Sequence, residues 1–407
     1  MEKKNKVLLI QIGLLVLTFV TTTLAGVEWR YSKFIFWTDF SWQDFMAGMA
    51  FSIPFLSILT VHEFGHFFTA RYHKIKVTLP YYIPMWFGFF VMPSIGTMGA
   101  FIRIKESISS RLKYFDVGVS GPLAGFVLAI GALWYGFTSL PETEYIYEIH
   151  PEYELFGKDF ESKMAGLDTV ILKSDLNPER LAYESLRDTI RIGKGGSIHF
   201  GDNLLMWLGR EYIAPDDRYV PSSHEIMHYP WLLAGFLALF FTALNLLPIG
   251  QLDGGHVLFG LLGAARHAVI SRIIFTIFLF YAGLGWIQVS DLENSSLESL
   301  GLFVLSLFFY LYLLYISSAS VFIEVKDRLL YATAILTTQF FVSSFFGIDG
   351  YHGWLAFGVL IGRFIGIDHP PVLDNRPLST NRKIVGWLAL VIFILSFSPE
   401  PLVVDGI

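Results

Sequence analysis

Residues 45–72 read FMAGMAFSIPFLSILTVHEFGHFFTARY. The stretch is apolar over more than the ~20 residues that a helix needs to cross a bilayer. A spanning segment must satisfy its own backbone hydrogen bonds, which in a single continuous run means an α-helix. Into this helix the sequence sets three ionisable groups on adjacent turns: His62, Glu63 and His66. Such groups inside a span are costly and mark function. The rest of the chain has the same character. Of 407 residues, 54% are hydrophobic and 16% charged, against roughly 25% charged in an ordinary soluble domain, and the mean hydropathy is +0.53. The expected fold is therefore an all-α polytopic membrane protein.

Apolar runs place spans at 7–26, 45–72, 115–137, 230–250, 269–288, 299–319, 329–347, 353–366 and 384–398, nine transmembrane helices. Residues 81–100, YYIPMWFGFFVMPSIGTMGA, are apolar but broken by proline and glycine. Non-helical backbone at membrane depth survives only where protein or a wet cavity satisfies it, so this segment reads as a re-entrant or β element near the site. Loop charges set the orientation. With the Lys-rich N-terminus in the cytoplasm, alternation puts Arg71, Lys74, Lys76, Arg103, Lys105, Arg111, Lys113, Arg266, Arg272, Lys326, Arg328, Arg376, Arg382 and Lys383 inside, and Asp291, Glu293 and Glu298 outside. The first helix reads as an uncleaved span, longer than the apolar core of a signal peptide.

This divides the chain into an N-terminal membrane region, 1–138, an external polar insertion, 139–229, and a C-terminal membrane region, 230–407. The insertion carries 17 Asp and Glu against 9 Lys and Arg. No basic stripe or nucleic-acid motif appears, and the net charge of −6 names no partner. There are no cysteines, which excludes disulfides and thiol chemistry and leaves any metal to His, Asp and Glu.

Val61-His62-Glu63-Phe64-Gly65-His66 is an H-E-x-x-H pattern. On a helix, residues i and i+4 share a face, so both imidazoles can reach one zinc ion while Glu63 serves as proton acceptor for a water. A catalytic zinc takes three protein ligands and keeps an open position. The best third ligand lies in Asn245-Leu-Leu-Pro248-Ile-Gly-Gln-Leu-Asp253-Gly254-Gly255-His256. Pro248 breaks the preceding helix, and Gly254 and Gly255 permit a close turn, presenting Asp253. Taken alone, Asp253 also suits a helix N-cap. His256 is a weaker alternative ligand, one turn into the next helix. Both motifs fall near the cytoplasmic ends of their spans, His62 about 15 Å from the end of its helix.

In combination these motifs resemble the site-2 protease family of intramembrane zinc metalloproteases. Gly96-Thr-Met-Gly99-Ala-Phe, Phe115-Asp-Val-Gly-Val-Ser-Gly121-Pro122-Leu-Ala-Gly125 and His369-Pro370-Pro371 fit the subgroup shared by archaea, bacteria and plastids. The resemblance implies cleavage of transmembrane protein substrates within the lipid bilayer. It implies one zinc ion per chain on His62, His66 and Asp253, with Glu63 as catalytic base and Asn245 positioning substrate. Gly96 and Gly99 open a strip, 96–104, on which an unwound substrate strand can add as a β-strand. Many family members carry a PDZ domain, and segment 139–229 lacks the carboxylate-binding loop of one. The expected location is a prokaryotic cytoplasmic membrane. Rival readings are an intramembrane metal transporter, which needs ligands spread along a path, and a catalytically inactive membrane scaffold, which an intact Glu63 disfavours.

Overall fold

The computed structural model describes residues 2–151, 153–154, 171–172, 189–190, 198–215, 218–289 and 297–404. Helices dominate: α1 (Glu2–Tyr31), α2 (Trp42–Tyr72), α3 (Arg111–Thr138), α4 (Glu144–Ile149), α5 (Leu204–Tyr212), α6 (Pro230–Leu246), α7 (Asp253–Leu262), α8 (Ala264–Ala282), α9 (Leu297–Ser317), α10 (Val325–Phe346), α11 (Gly353–Val359) and α12 (Thr380–Ser396). Among the described residues, six helices are long and apolar enough to cross a membrane: Asn5–Tyr31 within α1, α2, α3, α8, Ser299–Ser320 and α10. The apolar helices Pro230–Leu246 and Gly353–Ile365 are shorter, as is α12, with 17 residues.

Local chemistry sets the ends of α2 and α6. Ser41 accepts from the backbone N–H of Asp44, and the Asp44 carboxylate accepts from the N–H of Ser41. This capping box ties both orphan donors at the start of α2. Helix α6 stops at Leu246 because Leu247 precedes Pro248 and sits in an extended conformation, ψ 121°, away from the α region that a following proline disfavours.

Helices α2, α3 and α6 pack together as the centre of the molecule, with α1 against α2, and α7 and α12 against α3 and α6. Trp29, Phe51, Phe55, Leu133, Phe137 and Phe236 fill one cluster of the core, Phe275, Leu279, Tyr310 and Trp354 a second, and Phe115, Val119, Leu246, Val257 and Ile392 a third. Outward, Leu302, Leu305, Phe308 and Phe309 of α9 are exposed. Apolar surface on this scale is what a bilayer covers, and the chain is an integral membrane protein.

Residues 81–101 form an antiparallel hairpin of β1 (Tyr81–Met85) and β2 (Gly96–Phe101), with an irregularity between Tyr82 and Pro84. It lies against α1 and reaches α2. Gly96 has φ +81°, and a Cβ there would lie 2.4 Å from the Thr22 Cα, while the Thr21 hydroxyl donates to the Gly96 carbonyl at 2.7 Å. Glycine is required where backbone approaches backbone this closely.

Parts of the insertion lie at the far ends of α1, α3 and α6. Gly209 of α5 meets Phe137 near the C-terminus of α3, and Ile198–His199 pairs with Val403–Val404. Asp116 ties the opposite end. It accepts from Arg382 at 2.8 and 2.9 Å, and its other contact is the His73 imidazole at 2.8 Å, which joins α12 and the end of α2 to α3.

Candidate metal centre

His62 and His66 lie on one face of α2, and both are buried. Their Nε2 atoms stand 3.1 Å apart. Asp253 Oδ2 is 3.2 Å from His66 Nε2 and 3.6 Å from His62 Nε2. Donor atoms bound to one tetrahedral zinc at 2.0–2.1 Å are about 3.4 Å apart. The three donors therefore converge as zinc ligands do, and the residues fit the metal.

The surroundings orient these side chains. The His66 Nδ1–H donates to the Val117 carbonyl at 2.7 Å. That fixes the tautomer and turns the Nε2 lone pair toward Asp253, the arrangement that backbone carbonyls impose on metal-ligating histidines. Asp253 reaches the pair because α6 ends at Pro248 and the chain turns through Gly250, at φ +58°. A Cβ on Gly254 would sit 1.9 Å from the Leu246 carbonyl oxygen, so only glycine lets α7 begin so close under α6. Leu252, not Asp253, is the N-cap of α7, and no side chain caps that end. The alternative of Asp253 as a cap is thus not what the fold uses.

His256 is placed elsewhere. Its Nδ1 is 2.9 Å from His369 Nε2, and it packs beside Tyr114. The His369 ring stacks on Phe259 with centroids 3.7 Å apart. The structure brings Asp253, and not His256, to the two histidines. Asn245 does approach the site, with its Nδ2 3.4 Å from His62 Nε2. Glu63 is buried beside the histidines, close to the backbone of Ile102, just past β2. Tyr82 of β1 shares a 2.8 Å hydrogen bond with Thr60, one turn before Glu63. The hairpin thus flanks Glu63. Gly96 is turned to α1, whereas a Cβ on Gly99 would meet nothing within 4 Å.

The chain belongs to peptidase family M50. The family model matches residues 50–284, more than half of the chain, and this is the site-2 protease family that the sequence resembles. Among curated proteins, the chain is similar to a probable chloroplastic zinc metalloprotease EGY2 of Oryza sativa subsp. indica, at 27% identity over 53% of this chain and 30% of the relative. A probable chloroplastic zinc metalloprotease EGY1 of Oryza sativa subsp. japonica is 27% identical over 51% of this chain and 27% of its own length. Its counterpart from Arabidopsis thaliana is 25% identical over 53% and 30%. The matched part thus spans less than a third of these relatives. No solved structure matches the chain.

The glycines of α3 are residues whose role the sequence did not disclose. Gly121 and Gly125 face the motif helix, whereas Gly118 faces Asp253 and His256 of α7. A Cβ would lie 2.2 Å from His66 Nε2 at Gly121 and 3.1 Å from His62 Cβ at Gly125. The spacing G-x-x-G-x-x-x-G is the signal that could have found them. Gly121→Ala is expected to push the His66 ring off its position and weaken zinc binding by about 10- to 100-fold, the range for perturbing groups that orient metal ligands. Gly131→Ala on the same helix, where a Cβ meets nothing within 4 Å, is expected to bind zinc normally. Zinc titration of the two purified variants against a metal buffer checks this, and equal affinity would refute it.

Proposed function

We propose that the chain is an intramembrane zinc metalloprotease that hydrolyses peptide bonds of transmembrane protein substrates, with zinc on His62, His66 and Asp253 and Glu63 as general base. The observation that carries this reading is the convergence of the three donors within 3.1–3.6 Å beside a buried carboxylate that is not part of the donor group. Zinc bound there supplies a Lewis acid that polarises the scissile carbonyl and acidifies a water. Glu63 takes the proton of the attacking water and returns it to the leaving amine. Asn245, beside His62, holds the substrate backbone. A helical substrate hides its peptide bonds in its own hydrogen bonds and must unwind before attack. In the two-stranded sheet β2 has one edge unpaired, and the unwound strand adds there, at the open side of Gly99, by main-chain hydrogen bonds.

The same reading assigns nine spans, a cytoplasmic N-terminus and an external 139–229 segment. Helix α12 supports it: Arg382 at its start is tied to Asp116 near the catalytic end of α3, while Val403–Val404 beyond its end pairs with the insertion. The similar plant proteins are chloroplastic by name, and a prokaryotic cytoplasmic membrane is our assignment for this chain. A reporter active only in the cytoplasm, fused at Lys158, is expected to be silent, and the same reporter fused at Lys105 active. The reverse result would overturn the topology. Cleavage of a model transmembrane substrate by purified chain, with metal flux measured in parallel vesicles, tests the activity. Flux without hydrolysis would favour a transporter, and neither would favour a scaffold.

A further inference from the structure

A second constellation of the same chemistry stands at the opposite end of the helices. His150 follows α4, and Glu225 and His228 immediately precede α6. His150 Nε2 is 3.0 Å from His228 Nε2, and Glu225 Oε2 is 3.8 Å from the first and 3.6 Å from the second. The ring centroids of the two histidines are 4.9 Å apart at 76°, against 4.9 Å and 73° for His62 and His66. Glu225 and His228 are buried, while the His150 side chain retains 30% exposure.

The hydrogen bonds around this group set its polarity. His228 Nδ1 is 2.7 Å from the carbonyl oxygen of Arg30, at the end of α1. A carbonyl only accepts, so Nδ1 carries the proton. With the proton on Nδ1, the neutral ring presents a lone pair at Nε2. The Tyr153 hydroxyl donates to Glu225 Oε1 at 2.7 Å, leaving Oε2 on the side of the histidines. The Nε2 lone pair and the carboxylate oxygen stand 3.6 Å apart, a separation at which one cation can take both as ligands. Both the fixed tautomer and the hydrogen-bonded carboxylate are the supports that metal ligands use. The separations again bracket the roughly 3.4 Å of donors around a tetrahedral zinc.

We infer that His150, Glu225 and His228 form a second metal site, for zinc or a similar divalent transition ion, that clamps the base of the insertion to the ends of α1 and α6. Two imidazoles and a carboxylate select a first-row transition ion over calcium or magnesium, which take oxygen ligands. The role is structural. The site joins residues 78 positions apart in the chain, and an ion that binds only the closed arrangement stabilises it. It is not a station on a transport path. Helix α6 carries it at one end and Asn245 at the other, about 23 Å apart at 1.5 Å per residue, and the intervening WLLAGFLALFFTALN offers no ligand-type side chain.

The site is independent of the proposed proteolysis, and metal content reads it without any activity. The one-zinc expectation counts the membrane-embedded centre alone. The full chain, equilibrated with zinc and then desalted, is expected to hold two equivalents. His62→Ala/His66→Ala is expected to retain one, and adding His150→Ala or Glu225→Gln to that background to leave none. His150→Ala alone, at a partly exposed position, is expected to hold one equivalent and serves if the double variant fails to fold. A wild-type chain with a single equivalent that disappears in His62→Ala/His66→Ala would overturn the second site while leaving the first. Full metal content in His150→Ala and Glu225→Gln would also overturn it. A single equivalent lost only with His150→Ala would instead remove the catalytic centre.

Discussion

Alanine at His62, at His66 or at Asp253 is expected to remove one equivalent of zinc, whereas His256→Ala leaves the content unchanged. The argument is geometric. Three donor atoms lie within 3.1–3.6 Å of one another, and two separate devices present them: the i, i+4 face of α2 for the histidines, the turn under α6 for the carboxylate. Zinc held by three or four protein ligands binds with about 10–16 kcal/mol in small structural sites, or roughly 3 kcal/mol per ligand. Loss of one ligand therefore weakens binding by at least about 10²-fold, since 1.4 kcal/mol is a factor of ten. His256 differs in kind, because its Nδ1 is engaged with His369 and its ring packs beside Tyr114. Metal analysis of the four variants at a fixed, buffered free-zinc level, with folding checked by thermal melting, decides the matter. Zinc kept in Asp253→Ala and lost in His256→Ala would exchange the roles of the two residues.

How much of this was legible in the sequence depends on the range of the contact. The motif helix was legible because its signal is local: i and i+4 share a face whatever surrounds them. Asp253 carried two readings in the sequence, ligand and cap, because a carboxylate before paired glycines suits both. In three dimensions Leu252 takes the cap position and Asp253 stands beside the histidines. Residues 81–100 read as irregular because Pro84 and the glycines break any helix, yet a hairpin with a register shift has no clean alternation to reveal it. The glycine face of α3 could be seen as a pattern, but which helix it faces is tertiary information. Long-range ties were opaque altogether. Nothing in the sequence links Asp116 to Arg382, 266 positions away, or His150 to His228, because neither pair shares a periodicity or a motif.

Glu63→Gln is expected to keep normal zinc content and normal folding while cleavage of a transmembrane substrate falls by at least about 10²-fold, the usual contribution of a general base. Glu63 follows His62 by one residue, about 100° around the helix, so its carboxylate does not join the donor group formed by His62, His66 and Asp253. It is nevertheless held beside them and buried. Glutamine preserves the length of the side chain, and its amide oxygen remains a hydrogen-bond acceptor. What it lacks is a lone pair basic enough to take a proton from water. Loss of activity in this variant therefore isolates proton transfer from metal binding and from packing. Asp253→Ala provides the contrast, because it should lose zinc and cleavage together. Both quantities, zinc per chain and initial cleavage rate, need to be measured on the same preparations. A Glu63→Gln chain that cleaves at near the wild-type rate would remove the general-base mechanism, and one that loses zinc along with activity would make Glu63 a ligand.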